Sequence, residues 1–263
     1  MRLRRVLASD ADPADYLIGA NRAFGNWGDE LTFRWAFRGG EILFWDDEGG
    51  KPVAASGISY RTLIDGREMV IISGSWTSPA ARGTGAFARL IEATHMVARE
   101  RQAITIGFGR MENISRQRLK AAGAEMHATF YCRSGPQSAP ERPPVSLDPL
   151  DPSLYVFPSF FRYTTEEWRR QFIERPHAAI ECVGRRGEWA AIVERAAEFD
   201  RVHAVSDEAY LPLLAARVHA EARRLFWFSM RQPSIPCEWT DGFCSTFPPS
   251  DVSAWTFQNG DRM

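Results

Sequence analysis

The sequence predicts an α+β protein of two domains, each a mixed, mostly antiparallel sheet with flanking helices. Three observations carry that expectation. Strand-like runs joined by polar turns alternate with amphipathic helical runs. A strand, a glycine turn and a helix follow one another across 69–91. A proline-rich stretch at 135–152 separates two segments, 1–134 and 153–263, whose elements come in a similar order.

In the first segment, Asp12-Pro13 suits the start of a helix over 13–25, with the carboxylate as cap and the proline in the first turn. An aromatic stretch follows, Phe33, Trp35 and Phe37. These rings read either as core or as the lip of a substrate site, with Trp27, Asp29 and Glu30 near a bound amine. Strand-like runs at 41–46, 52–63 and 67–76 are joined by the turns Asp47-Glu48-Gly49-Gly50 and Asp65-Gly66, which predicts an antiparallel meander.

The third run ends at Pro79, and Arg82-Gly83-Thr84-Gly85 makes a tight loop. A helix begins at Ala86, with Phe87, Leu90, Ile91, Val97 and Ala98 on one face. The first N–H groups of a helix have no internal acceptors and sit at the positive end of its dipole. Glycines let a phosphate approach the backbone, so this junction predicts an anion site with Arg82 adding charge. The Gly-Lys-Ser/Thr of the mononucleotide loop is missing, and only one Gly-x-Gly is present. Beyond the helix, 103–108 reads as a strand parallel to the one before the loop. A short helix over 113–122 is stopped by Gly123, and a strand over 126–133 closes the segment.

The second segment reads as a helix over 164–174, a hairpin over 178–194 turning at Gly184-Arg185-Arg186-Gly187, and a strand over 201–205. A helix over 210–224 and strands over 225–230 and 254–257 complete it. Its loop, Ser206-Asp207-Glu208, has no glycine and two negative charges, which would repel a diphosphate.

The composition is that of an ordinary soluble globular chain, 44% apolar and 25% charged with a formal net charge of −1. Neither nucleic acid nor a membrane is expected as a partner. The four cysteines form no CxxC pair and no metal-spaced cluster with histidine, so reduced thiols, no metal and a cytoplasmic location are expected.

Arg82, Gly83, Thr84, Gly85 and Ala86 resemble the Arg/Gln-x-x-Gly-x-Gly/Ala loop of the GNAT N-acetyltransferases, with Phe87 replacing the usual small residue. Asn113, Leu119 and Gly123 resemble that family's second signature, and the element order of 1–134 is the family's order. The resemblance implies a GNAT acyl-CoA-binding domain over 1–134 and, after the 135–152 linker, a degenerate GNAT-like, substrate-capping domain over 153–263. It implies acetyl-CoA, or another acyl-CoA, as co-substrate. The reaction would be acyl transfer to a primary amine of a small molecule, such as an amino sugar or a nucleotide-linked amino sugar. A non-catalytic CoA-binding or regulatory protein is the alternative, and a homodimer is left open.

In such enzymes a bulge in the strand before the loop aims a backbone N–H at the thioester oxygen. By position Trp76, Thr77 or Ser78 would carry it. Asn113 and Arg116 would lie near the pantetheine amide or the diphosphate. The family's Tyr near the leaving thiolate is replaced by Lys120 or Leu119, with Tyr131 as a substitute from the next strand. The general base is not identified. Asp29, Glu30, His95, His127, Asp241 and a water relay through Ser73 or Ser75 remain open.

Overall fold

The computed structural model describes residues 1–135, 144–149, 151, 159, 161–197, 199–233 and 235–262. The chain divides into two compact units. Unit 1 comprises Met1–His127 and Phe243–Asp251, and unit 2 comprises Ala128–Gly242 and Val252–Arg262. Unit 1 thus takes in a piece of chain that the sequence analysis assigns to the second domain.

Unit 1 contains β1 (Arg2–Leu7), α1 (Pro13–Phe24), α2 (Glu30–Ala36), β2 (Glu41–Asp46), β3 (Pro52–Thr62) and β4 (Glu68–Thr77). It continues through α3 (Ala86–Glu100), β5 (Ile104–Arg110) and α4 (Ile114–Ala121). Two strands run across the boundary between the units, β6 (Glu125–Ser134) and β12 (Cys237–Phe247). The strand order in unit 1 is β1-β2-β3-β4-β5-β12. The pairs from β1 to β4 are antiparallel and β4 runs parallel to β5; all but the β1–β2 pair are as the sequence predicts.

β1 escapes the sequence reading, because Arg2-Leu3-Arg4-Arg5 looks like a basic terminus rather than a strand. Two buried carboxylates on β2 explain it. Asp46 and Glu41 are buried, and a buried charge is costly without a partner. Arg4 binds Asp46 at 2.8 Å, and Arg5 pairs with Glu41. The arginines thereby tie the edge strand to its neighbour.

The aromatic stretch after α1 is core, not a lip. Phe33 and Phe37 are wholly buried, with Tyr16 5.4 Å and 5.1 Å from them between ring centres. Trp27 stacks on Phe37 at 5.6 Å. Asp12 caps α1 through the Ala14 N–H at 2.9 Å, as predicted, and Asp29 caps α2 through Thr32 at 2.9 Å. Phe37 also lies over Gly57 of β3, where a Cβ would come within 1.9 Å of the ring.

The last strand of unit 1 comes from far along the sequence. β12 contributes Phe243 to a cluster with Ile72, Ile91 and Leu119. The Ser245 hydroxyl donates to the Gly107 carbonyl at 3.3 Å, and Phe247 stacks on His95 at 3.8 Å. His95 is therefore a packing residue and no candidate base. His127 bonds Thr246 at 3.1 Å.

In unit 2 the strand order is β6-β11-β10-β9-β8-β7, with β7 (Val145–Ser146), β8 (Ala179–Arg185), β9 (Trp189–Arg195), β10 (Phe199–Val205) and β11 (Arg224–Ser229). Its helices are α5 (Thr165–Phe172), held by a capping box of Thr164 and Glu167, and α6 (Leu211–Ala220). The series β8-β9-β10-α6-β11 repeats β2-β3-β4-α3-β5 in order. It repeats the pairing too, two antiparallel contacts and then one parallel contact.

Four expectations are corrected in unit 2. The proline-rich connector is not wholly extended linker, since Val145–Ser146 pairs with β8 as an edge strand. Pro136, Pro140, Pro143 and Pro152 lie outside the described residues. Residues 254–257 form no strand; Trp255 and Phe257 instead bury their rings at 2% and 3% exposure. β12 is likewise missing from the sequence analysis, its pattern being broken by Asp241-Gly242. α6 stops at Ala220, because the chain reverses at Ala222 with φ of 57° before β11 begins.

Two predictions follow from this packing. Gly57→Ala should lower the unfolding free energy by about 1–3 kcal/mol, the usual cost of overpacking, read as a lower urea midpoint with unchanged slope. Burial, with some help from Arg99, lowers the His95 pKa from 6.5 to about 4. The folded imidazole stays neutral where the unfolded one takes a proton, so its share of stability is present above pH 6.5 and fades as pH falls toward about 4. His95→Phe should therefore lose less stability than the parent between pH 7 and about 5 in urea titrations; equal losses would mean that His95 contributes nothing to the acid sensitivity.

Candidate functional site

β4 and β5 pair from Met69↔Ile104 to Ile72↔Gly107 and then part. Beyond that point β4 bulges. Ser73 faces Gly57 and Trp76 faces Ala55, so Gly74 and Ser75 together oppose Ser56. Gly74 takes φ of 56°, a left-handed value suited to glycine, and its carbonyl accepts the Tyr16 hydroxyl at 2.5 Å. The Ser75 and Ser56 hydroxyls meet at 2.7 Å across the bulge.

The bulge sets which amides point where. The Ser78 N–H donates to the Val53 carbonyl at 2.8 Å, so it is not free to meet a ligand. In an antiparallel ladder alternate residues bond the same neighbour. Trp76 therefore turns its N–H to β3, and Thr77 turns its N–H to the side where β5 has already departed. Of the three residues read as carriers of that N–H, the geometry favours Thr77.

The loop then folds back through a turn of 3-10 helix at Pro79–Ala81. Arg82 donates its N–H to the Pro79 carbonyl at 3.3 Å, and Thr84 donates to Ala81 at 3.3 Å. Those two amides are engaged. Gly83 and Gly85 take φ of 82° and 85°, and a Cβ on either would meet nothing within 4 Å. Glycine is required there by the backbone turn rather than by crowding, and the space outside is open. Gly85 is the N-cap of α3 with no side-chain cap bond, which leaves the first-turn amides of Ala86, Phe87 and Ala88 without helix acceptors.

These groups surround a cavity of about 520 Å³ within unit 1. Its walls include Trp76, Thr77, Arg82, Gly83, Gly85, Ala86, Phe87 and Asn113, all read from the sequence as carrier-binding. Ser78, Thr84 and Arg116 do not line it. Asn113 is the N-cap of α4, but its side chain makes no cap bond. The Trp76 indole is 5% exposed, and its Nε1–H has no acceptor among the described residues.

Sequence reasoning missed Arg118, which lines the cavity beside Arg82. Arg118 stands one helical turn and a residue past Asn113, on an exposed polar helix where nothing in the sequence pattern marks it. Neither arginine has an ion-pair partner among the described residues. It also missed Phe24 and Ile114, apolar lining residues left 51% and 65% exposed. Among the described residues no carboxylate or imidazole lines the cavity. With positive charge, open amides and an apolar edge, the cavity suits an anionic ligand that carries an uncharged arm.

The remaining candidates have other surroundings. Asp29 is engaged as the α2 cap. Glu30 is exposed and pairs with Arg34 at 3.5 Å. Tyr131 is on the part of β6 in unit 2, its ring 5.7 Å from Phe228. Neither Asp29 nor Glu30 lines the cavity, and Asp241 is an exposed residue of unit 2. No group of metal-ligating side chains occurs among the described residues, and no described helix is long and apolar enough to cross a membrane.

No family model matches the chain, and no curated protein matches its sequence. Solved structures do match across nearly its whole length. An Enterococcus faecalis protein described as a "Probable N-Acyltransferase" aligns with TM-score 0.66 at 9% identity, over 92% of this chain and 72% of that one. A GCN5-related N-acetyltransferase from Anabaena variabilis aligns with TM-score 0.62 at 11% identity, over 92% and 72%. Eis1 from Mycobacterium abscessus aligns with TM-score 0.53 at 12% identity, over 86% and 65%. The chain therefore has the GNAT N-acetyltransferase fold in its long, two-unit form.

The loop geometry makes a direct prediction. Gly85→Val forces a β-branched residue into the left-handed region, so α3 cannot start where it does. Calorimetric binding of inorganic pyrophosphate should weaken at least about tenfold, with the circular dichroism spectrum retained.

Proposed function

We propose that unit 1 binds an acyl-CoA, most simply acetyl-CoA, and transfers its acyl group to a primary amine of a small molecule. One observation carries the reading: open first-turn amides of α3 at the glycine loop, flanked by Arg82 and Arg118, on a cavity that also receives the end of the bulged β4. The diphosphate lies against the amides of Gly83, Gly85, Ala86 and Phe87, and the two guanidinium groups add charge-assisted bonds. The pantetheine arm follows the gap opened between β4 and β5, past Trp76.

The chemistry asks three things of the chain. The thioester carbonyl must be held, and the Thr77 N–H donates to the oxygen as it becomes an oxyanion. The amine must attack as the free base from a fixed direction. The thiolate must leave, and a thiol pKa near 8.5 makes it a good leaving group without an acid. Because no carboxylate or imidazole among the described residues lines the cavity, the amine's proton passes to water, directly or through the Ser75 hydroxyl. Free cysteines and a soluble thioester substrate agree with a cytoplasmic site of action.

Calorimetry with acetyl-CoA, followed by thiol release over a panel of amines, tests the proposal. Saturable binding is expected, and Arg82→Ala and Arg118→Ala should each weaken it about tenfold. Acetylated pantetheine, which lacks the diphosphate, should bind far more weakly. Turnover should rise with pH toward the pKa of the amine itself. Tight binding without turnover on any amine would instead identify a non-catalytic CoA-binding protein, and failure to bind acetyl-CoA would overturn both readings.

A further inference from the structure

Unit 2 has a cavity of its own, about 320 Å³, at the ends of its parallel pair β10 and β11. By the internal repeat this is the counterpart of the unit 1 cavity, which opens where β4 leaves β5. The chemistry is reversed. The loop after β10 is Ser206-Asp207-Glu208. Asp207 accepts the Ala209 N–H at 2.8 Å, and its carbonyl accepts the Tyr210 N–H at 3.1 Å. The Ala209 and Tyr210 amides of the turn before α6 are thus taken up within the loop, and the two carboxylates of Asp207 and Glu208 line the cavity.

The interior is aromatic. Trp227, Phe228, Trp255 and Phe257 line the cavity, and the rings of Trp255 and Phe257 stand at 89° to each other, 5.7 Å apart. Trp227 is 5% exposed, and its Nε1–H has no acceptor among the described residues. A buried indole N–H normally finds a partner, so this wall has an unanswered donor. The Glu208 carboxylate is held in place by the Ser229 hydroxyl at 3.0 Å, and Ser229 is itself 1% exposed. Among the described lining residues Arg231 is the single cation, against Asp207 and Glu208.

We propose that this cavity is a binding site for a small hydroxylated ammonium ion, such as an amino alcohol or an amino sugar. The ammonium group lies among the aromatic faces and the Glu208 carboxylate, and a hydroxyl oxygen accepts the Trp227 Nε1–H. The site is independent of the acyl-carrier site proposed for unit 1 and stands whether or not that reading holds.

The probes are choline and glucosamine, titrated calorimetrically into the full chain, with 3,3-dimethyl-1-butanol and glucose as their neutral counterparts. At least one cation should bind saturably, and its neutral counterpart at least about tenfold more weakly. Glu208→Gln should weaken the cation about fivefold or more while leaving the circular dichroism spectrum and the urea midpoint unchanged. Trp227→Phe should weaken it too, and the retained fold of Glu208→Gln keeps the test valid if Trp227→Phe fails to fold. No saturable binding of either cation, equal binding of a neutral counterpart, or an unaffected Glu208→Gln would overturn the proposal.

Discussion

The candidate site depends on β4 outlasting its pairing with β5. Parallel hydrogen bonds end at Ile72 and Gly107, yet β4 continues to Thr77 against β3 alone. A strand with one neighbour has amides to spare on its other side. The bulge at Gly74 and Ser75 then decides which residues supply them, because one extra residue shifts every later amide by one place. Tyr16, buried in the aromatic cluster of α1 and α2, donates its hydroxyl to the Gly74 carbonyl and so secures the bulge from behind. The aromatic stretch that looks like a substrate lip thus serves the site indirectly, through packing.

Much of unit 1 was legible because local signals agree there. Asp12-Pro13, the turns at 47–50 and 65–66, the glycine loop and Gly123 each state a boundary, and the helices and strands fall between them. What was not legible depends on partners distant in sequence. β1 makes sense only beside the carboxylates of Glu41 and Asp46. β12 reads as irregular until Phe243 and Phe247 are seen against Ile91 and His95. Ser78 could be excluded as a ligand donor only once its bond to Val53 was known. Arg118 went unnoticed because an exposed arginine on a short polar helix has no distinguishing pattern; its place on the cavity wall distinguishes it.

The two units show how one arrangement of strands can serve opposite charges. Both present a loop and a helix start beyond a parallel pair. In unit 1, glycines hold the turn open and leave the amides facing outward. In unit 2, the turn that leads into α6 is closed from within, with the Asp207 carboxylate taking the Ala209 N–H. The helix terminus is the same structural element in each case, and the residues of the loop determine whether it is available to a ligand. A helix start is therefore a poor guide to anion binding until the hydrogen bonds of its first turn are accounted for.

The path of β12 also bears on how the chain is made. The residues that border β5, Phe243–Phe247, leave the ribosome long after the glycine loop at 82–85. Until they emerge, the flank of β5 stays uncovered, and Ile72, Ile91 and Leu119 lack the aromatic ring that completes their cluster. Synthesis of the glycine loop therefore precedes completion of its own scaffold by more than a hundred residues. A fragment cut after residue 134 would retain the glycine loop and the Asn113-to-Gly123 signature and still lack the strand that finishes its sheet.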